Sequence, residues 1–159
     1  MSFYVSLGSF LLVSSTQMDE IVAGSVLYVR FLFVARGEHL SYLTDLFKDG
    51  CGDIDDQMGM VVPWCEQLRV LSHTSVGGFR TRCGFNSTLE ALCAGVPMLT
   101  FPIFSDQVPN SKQIVEYWKV GWRVKRETGS DYLVSREEIS ELVKRFMDSD
   151  SDNKKEMTQ

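Results

Sequence analysis

Histidine is scarce in this 159-residue chain, with only His39 and His73, and the four cysteines (Cys51, Cys65, Cys83, Cys93) form no CxxC pair. Structural metal sites need several such ligands at short, regular spacing. No metal is therefore expected, and the cysteines read as reduced, mostly buried small residues of a cytoplasmic protein. Positive charge is also in short supply: 16 Lys and Arg stand against 21 Asp and Glu, a net charge of −5. A nucleic-acid partner would need a basic face, so none is expected. A small anionic ligand stays compatible, because a helix N-terminus and one or two local cations can hold phosphate on an acidic protein. No apolar run approaches the length of a membrane span, which argues against a membrane partner. The apolar stretch 3–13 lacks the basic start of a secretory signal, since no Lys or Arg precedes Arg30. Tandem repeats and low-complexity tracts are missing as well.

What is there fits one globular domain, with 44% apolar and 23% charged residues. Short apolar runs alternate with amphipathic segments. Strands are expected at 3–7, 30–35, 60–63, 76–81, 98–101 and 121–124. Helices are expected from the Ser14-x-x-Gln17 capping pattern to about residue 28, and at 39–47, 66–72, 86–94 and 108–118. A further helix runs from the Ser135-x-x-Glu138 capping box to about residue 147. In the helix 86–94, Leu89 and Leu92 are expected to face inward and Gly95 to cap the end. Residues 48–57 read as a surface loop and 148–159 as a polar, frayed tail. Strands separated by helices imply an α/β fold, a Rossmann-like parallel sheet with helices on both faces. In such folds ligands bind at the carboxyl ends of the strands, here the loops near Gly8, Trp64, Arg82 and Asp106.

The segment 64–107 carries the chemistry. Cys83-Gly84-Phe85-Asn86-Ser87 joins a strand to a helix. Gly84 allows a tight turn, while Asn86 and Ser87 suit an N-cap at the positive end of the helix dipole, where a diphosphate would be welcome. The same pentapeptide also reads as a capped helix and nothing more. Glu90, three residues on, could reach a ribose diol or be a solvated surface carboxylate. Trp64 at a strand end could stack on a planar base or pack in the core. Asp106 and Gln107 could grip sugar hydroxyls, with a helix N-cap as the other reading.

Taken together, the segment resembles the plant secondary product glycosyltransferase box of family 1 UDP-glycosyltransferases. Trp64-Cys65-x-Gln67, His73-x-x-x-Gly77-x-Phe79-x-Thr81, Cys83-Gly84, Asn86-Ser87-x-x-Glu90, Gly95-Val96-Pro97, Pro102 and Asp106-Gln107 stand at that box's spacing. The resemblance implies the C-terminal, donor-binding half of a two-domain GT-B enzyme, occupying residues 1–147. It implies that Trp64 stacks on uracil and that the Cys65 backbone bonds the base. Gln67 and Glu90 would hold the ribose. Asn86, Ser87 and the Ser9 loop would hold the diphosphate, and Asp106 and Gln107 the sugar, with glucose the leading expectation. UDP-sugar would be a substrate, with no cofactor.

Three positions depart from the family pattern: Arg82 stands for a histidine that contacts the diphosphate, Phe85 for a tryptophan, and Ser105 for a larger residue. The family's catalytic histidine and its aspartate belong to the N-terminal, acceptor-binding domain, and neither His39 nor His73 matches that position. The chain by itself is therefore expected to bind donor without transferring it. The alternative is a degenerate, non-catalytic module that binds UDP weakly or not at all. A nicotinamide-binding domain is disfavoured, because no GxGxxG follows the first strand.

Overall fold

The computed structural model describes residues 1–6, 14–26, 28–48, 58–103, 106–124 and 133–148. Strands and helices alternate along them: β1 (Ser2–Ser6), α1 (Ser15–Val26), β2 (Arg30–Val34), α2 (Glu38–Lys48), β3 (Gly59–Val62), α3 (Gln67–Leu71), β4 (Val76–Thr81), α4 (Phe85–Ala94), β5 (Met98–Thr100), α5 (Gln107–Lys112), β6 (Gly121–Arg123) and α6 (Arg136–Met147). The six strands form one sheet in the order β3-β2-β1-β4-β5-β6, and every pairing is parallel. This is the doubly wound, Rossmann-like order, with its topological switch between β1 and β4.

Side-chain alternation builds a separate core on each face of the sheet. Phe3 and Val5 of β1 and Phe31 and Phe33 of β2 join Leu99 under α1 and α6. Tyr4, Phe79 and Met98 point the other way, against Leu71 of α3, Ala91 of α4 and Ile114. Each fully buried aromatic or branched side chain contributes about 1.5–3 kcal/mol. Helices thus cover both faces, as the segment alternation implied.

Helices α1 and α6 lie in close contact because Gly24 has no side chain. A Cβ there would fall 2.6 Å from the Ile139 Cβ. Gln17 bridges to the segment before α6, accepting from the Val134 N–H at 3.0 Å and donating to the Val134 carbonyl at 3.0 Å. The Arg136 guanidinium and backbone N–H both donate to Glu20.

Several local expectations need correction. Ser14 Oγ accepts from the Gln17 N–H at 3.2 Å, but the Gln17 side chain serves Val134 instead of reaching back, so this capping box is only half formed. The Ser135–Glu138 box is complete. Gly84, not Asn86 or Ser87, is the N-cap of α4, which puts Asn86 and Ser87 at the second and third helical positions. Leu89 is 42% exposed rather than inward, whereas Leu92 packs on the second core. Gly95 ends α4 at φ 66°, as a glycine cap does. The single helix expected over 108–118 is α5 followed by a π-helical turn, Gln113–Tyr117, in which the Trp118 N–H donates to the Gln113 carbonyl. Ser9, Ser105, Cys51, most of the loop 48–57 and the tail beyond residue 148 lie outside the described residues.

Candidate donor-binding site

Parallel strands end on one edge, so the segments after β3, β4 and β5 share a rim. Trp64, Arg82 and Asp106 therefore open onto the same side of the molecule. Beside the switch point this rim encloses a cavity of about 510 Å³, the size of a small-molecule pocket. Its walls are Tyr4 and Ser6 from β1, Val34 and Arg36 after β2, residues 64–68, and Ser87 and Glu90 from α4.

Trp64 follows Pro63 just past the end of β3. It is 63% exposed and is not part of the core. Cys65 and Gln67 come next, Gln67 opening α3. The Gln67 Nε2 donates to Glu90 Oε2 at 2.7 Å and to Ser87 Oγ at 3.0 Å. The Tyr4 hydroxyl donates to Gln67 Oε1 at 3.2 Å and lies 3.3 Å from Cys65 Sγ. One polar network thus runs from β1 through α3 to α4 along the cavity wall. Burial first, then the Cys65 contact, pushes the Tyr4 phenol well above its usual range, so it stays a protonated donor.

The turn between β4 and α4 is held from below. Cys83 sits at φ 68°, a left-handed conformation, with its N–H donating to Thr81 Oγ1 at 3.0 Å. Asn110 Nδ2 donates to the Cys83 carbonyl at 2.9 Å. Burial raises the Cys83 thiol to about 12, which keeps it inert. The first N–H that α4 satisfies internally is that of Thr88, which donates to the Gly84 carbonyl at 3.0 Å. The N–H groups of Phe85, Asn86 and Ser87 form the positive end of the ten-residue helix. Arg82 stands beside this turn, partly buried, with its Nη1 buried and without a hydrogen-bond partner. Desolvation lowers its pKa.

Of the sequence-predicted donor residues, the cavity brings together Trp64, Cys65, Gln67, Ser87 and Glu90. Arg82, Gly84, Phe85, Asn86 and Asp106 lie along the rim outside it, with Phe85 60% exposed. Asp106 precedes α5 and is exposed, but its side chain makes no capping bond. Gln107 is buried, and its Oε1 accepts from the Ile103 N–H at 2.9 Å. Two residues of the site were missed: Tyr4, a lone polar-tipped ring in the apolar strand 3–7, and Asn110, whose partner is a backbone carbonyl 27 residues away. A phenol alternating with Phe3 and Val5 was the available signal for the first, and nothing local marked the second. Among the described residues no three His, Cys, Asp or Glu side chains gather as metal ligands, and no helix is long and apolar enough to cross a membrane.

Known proteins resemble this chain in sequence and fold. The family model for UDP-glucoronosyl and UDP-glucosyl transferase matches residues 5–157. The chain is 54% identical over 155 residues to UDP-glycosyltransferase 87A2 of Arabidopsis thaliana, covering 97% of this chain and 32% of that protein. It is 42% identical over 148 residues to Mogroside I-E synthase of Siraitia grosvenorii, covering 92% and 31% respectively. Among solved structures it is similar to Os79 from O. sativa in complex with UDP and deoxynivalenol-3-glucoside, with a TM-score of 0.82 at 31% identity over 99% of this chain and 35% of that one. It is likewise similar to Medicago truncatula UGT71G1 complexed with UDP-glucose, with a TM-score of 0.77 at 33% identity over 99% and 35%. The chain spans roughly a third of the length of the relatives it matches.

Proposed function

Because the chain belongs to the UDP-glucoronosyl and UDP-glucosyl transferase family, we propose that it is a UDP-sugar donor-binding unit, serving hexose transfer to a small-molecule hydroxyl in concert with an acceptor-binding domain. One observation carries the reading: an exposed indole, Trp64, borders the same cavity as the hydrogen-bonded set Gln67, Ser87 and Glu90. A planar base needs the first and a ribose diol needs the second.

In this reading uracil stacks on Trp64 and the Cys65 backbone bonds its edge. Glu90, steered by Gln67, accepts from the ribose hydroxyls. The diphosphate lies toward the α4 N-terminus, where the N–H groups of Asn86 and Ser87, the turn at Gly84 and the Arg82 guanidinium supply positive potential. Phe85, Asp106 and Gln107 border the sugar. Glucose is the proposed hexose, a choice that rests on the resemblance at Gln107 and on the UDP-glucose complex of UGT71G1.

Inverting transfer requires a base that deprotonates the acceptor hydroxyl as it attacks the anomeric carbon. That base is assigned to the acceptor-binding domain. The role of this chain is to orient the donor and to stabilise the departing diphosphate through helix N–H groups and Arg82. Calorimetric titration of the 159-residue chain with UDP tests the reading. Saturable heat is expected, and no heat at millimolar UDP overturns it. Transfer of hexose by this chain alone would overturn the assignment of the base.

A further inference from the structure

Tyr4 belongs to no part of the site that the sequence motif covers, yet its hydroxyl ends on the cavity wall. The side chain is 1% exposed, and its ring stacks on Phe79 with centroids 5.1 Å apart at 26°. The ring, and with it the hydroxyl oxygen, is therefore fixed in place. A count of protons then fixes the direction of its bonds to Gln67 and Cys65. Gln67 spends both amide hydrogens, one on Ser87 Oγ and one on Glu90 Oε2. Its Oε1 must therefore accept, and the Tyr4 hydroxyl, 3.2 Å away, must be the donor. The single phenolic proton being committed there, the Cys65 thiol donates to the Tyr4 oxygen.

We infer that Tyr4 is a positioning residue for the donor site: its hydroxyl anchors the oxygen end of the Gln67 carboxamide, whose NH2 end the acceptor-only Glu90 carboxylate takes, and so keeps the Glu90 carboxylate aimed at a vicinal diol. The inference rests on the donor-site reading above. Without the Tyr4 hydroxyl the amide loses the hold on its oxygen end and can shift along the cavity wall. A displaced amide would carry the Glu90 carboxylate with it, away from the ribose. The relay spans 86 residues of sequence, from Tyr4 through Gln67 to Glu90 (residues 4 to 90), so only the packing of β1 against α3 and α4 assembles it.

The test compares binding of UDP with that of its 2′,3′-dideoxy analogue, measured calorimetrically on the full chain. The wild type is expected to prefer UDP by about tenfold or more, the worth of hydrogen bonds to a charged acceptor. Tyr4→Phe removes one oxygen and keeps the ring on Phe79. Its preference is expected to fall to about twofold, mostly through loss of UDP affinity, while its melting temperature stays near that of the wild type. A merely structural role would weaken both ligands equally, and that result overturns the inference, as does an unchanged preference. Gln67→Met carries the test independently if Tyr4→Phe does not fold. In this inference Tyr4 acts through Gln67, so a wild-type preference in Gln67→Met also overturns it, and the double variant is expected to match Gln67→Met alone. Failure of the wild type to bind either nucleotide would overturn the donor reading itself, a result distinct from UDP binding with an unaltered preference in the variants.

Discussion

Gln67 Nε2 donates to Glu90 Oε2 at 2.7 Å, the shortest link between α3 and α4 along the cavity wall. The contact holds one carboxylate oxygen and so sets the rotation of the whole group. Glu90→Gln replaces a two-oxygen acceptor with one oxygen and one NH2, so if the oxygen keeps the Gln67 bond an NH2 group stands where the second acceptor was. UDP affinity is expected to fall about tenfold, because a charged hydrogen bond is roughly twice as strong as a neutral one. Titration calorimetry with UDP checks this.

Trp64→Ala tests the base platform. Stacking of a base on an aromatic ring is worth about 1–3 kcal/mol, so UDP and uridine should both weaken, by about tenfold or more. Since Trp64 is 63% exposed, the melting temperature should move by less than about 2 °C. Parallel calorimetry and thermal melts read the two effects separately.

Arg82→Met addresses the diphosphate. The Arg82 Nη1 is buried and has no hydrogen-bond partner among the described residues, which suits a group completed by an anionic ligand. Loss of UDP affinity by about tenfold is expected, with uridine binding unchanged. Equal weakening of both ligands would count against a phosphate role.

Arg80 is a different case, with no access to any ligand. It is fully buried, its Nη1 donates to Ser25 Oγ and the Ile21 carbonyl, and its Nε and Nη2 have no hydrogen-bond partner. The Phe101 ring lies 5.1 Å from its guanidinium carbon. A buried charge without a counter-ion costs stability. Arg80→Met is expected to stabilise the fold by about 1–3 kcal/mol at pH 7, read by urea denaturation.

The same group predicts an alkaline signature. Burial lowers the Arg80 pKa to about 9, below its value in the unfolded chain. Above that pH the unfolded state binds more protons than the folded one, so stability from this group rises with pH. The advantage of Arg80→Met over the wild type is therefore expected to shrink between about pH 8 and about pH 10.5.

On the acid side, Glu20 behaves oppositely. Hydrogen bonds from the Arg136 side chain, and after a smaller opposing effect of burial from its backbone N–H, hold the Glu20 carboxyl below the usual range. Its contribution is present above the unfolded carboxylate pKa and disappears as pH falls through the lower folded value. Glu20→Gln should cost about 1 kcal/mol at pH 7, a modest figure because Arg136 is 40% exposed. The cost should vanish once the pH falls below that lowered folded value, as followed by denaturant melts across pH.

Most of the fold was legible from residue order. The apolar runs around Phe31 and Phe79 could only be buried strands, and Gly95 could only end a helix. What failed did so for tertiary reasons. Leu89 has helical spacing with Leu92, but its side chain remains exposed among the described residues. Gln17 has the spacing of a capping residue, but the Val134 backbone offers its amide both a donor and an acceptor and wins it. Nothing in the strand 76–81 hinted that Arg80, flanked by Phe79 and Thr81, would be sealed under α1.

Local chemistry along the chain determined the strands, the helices, the family and the identity of most rim residues, because turn glycines, capping serines and aromatic-ended strands act over a few positions. Only the tertiary structure decided which of those residues meet. Parallel pairing sends every strand end to one edge and lets Trp64, Gln67, Ser87 and Glu90 share a cavity. The pleat turns Tyr4 away from Phe3 and Val5 onto the face where Gln67 waits. Hydrogen-bond direction depends on which donors and acceptors packing brings within about 3 Å of each other, and the order of residues along a chain does not contain that.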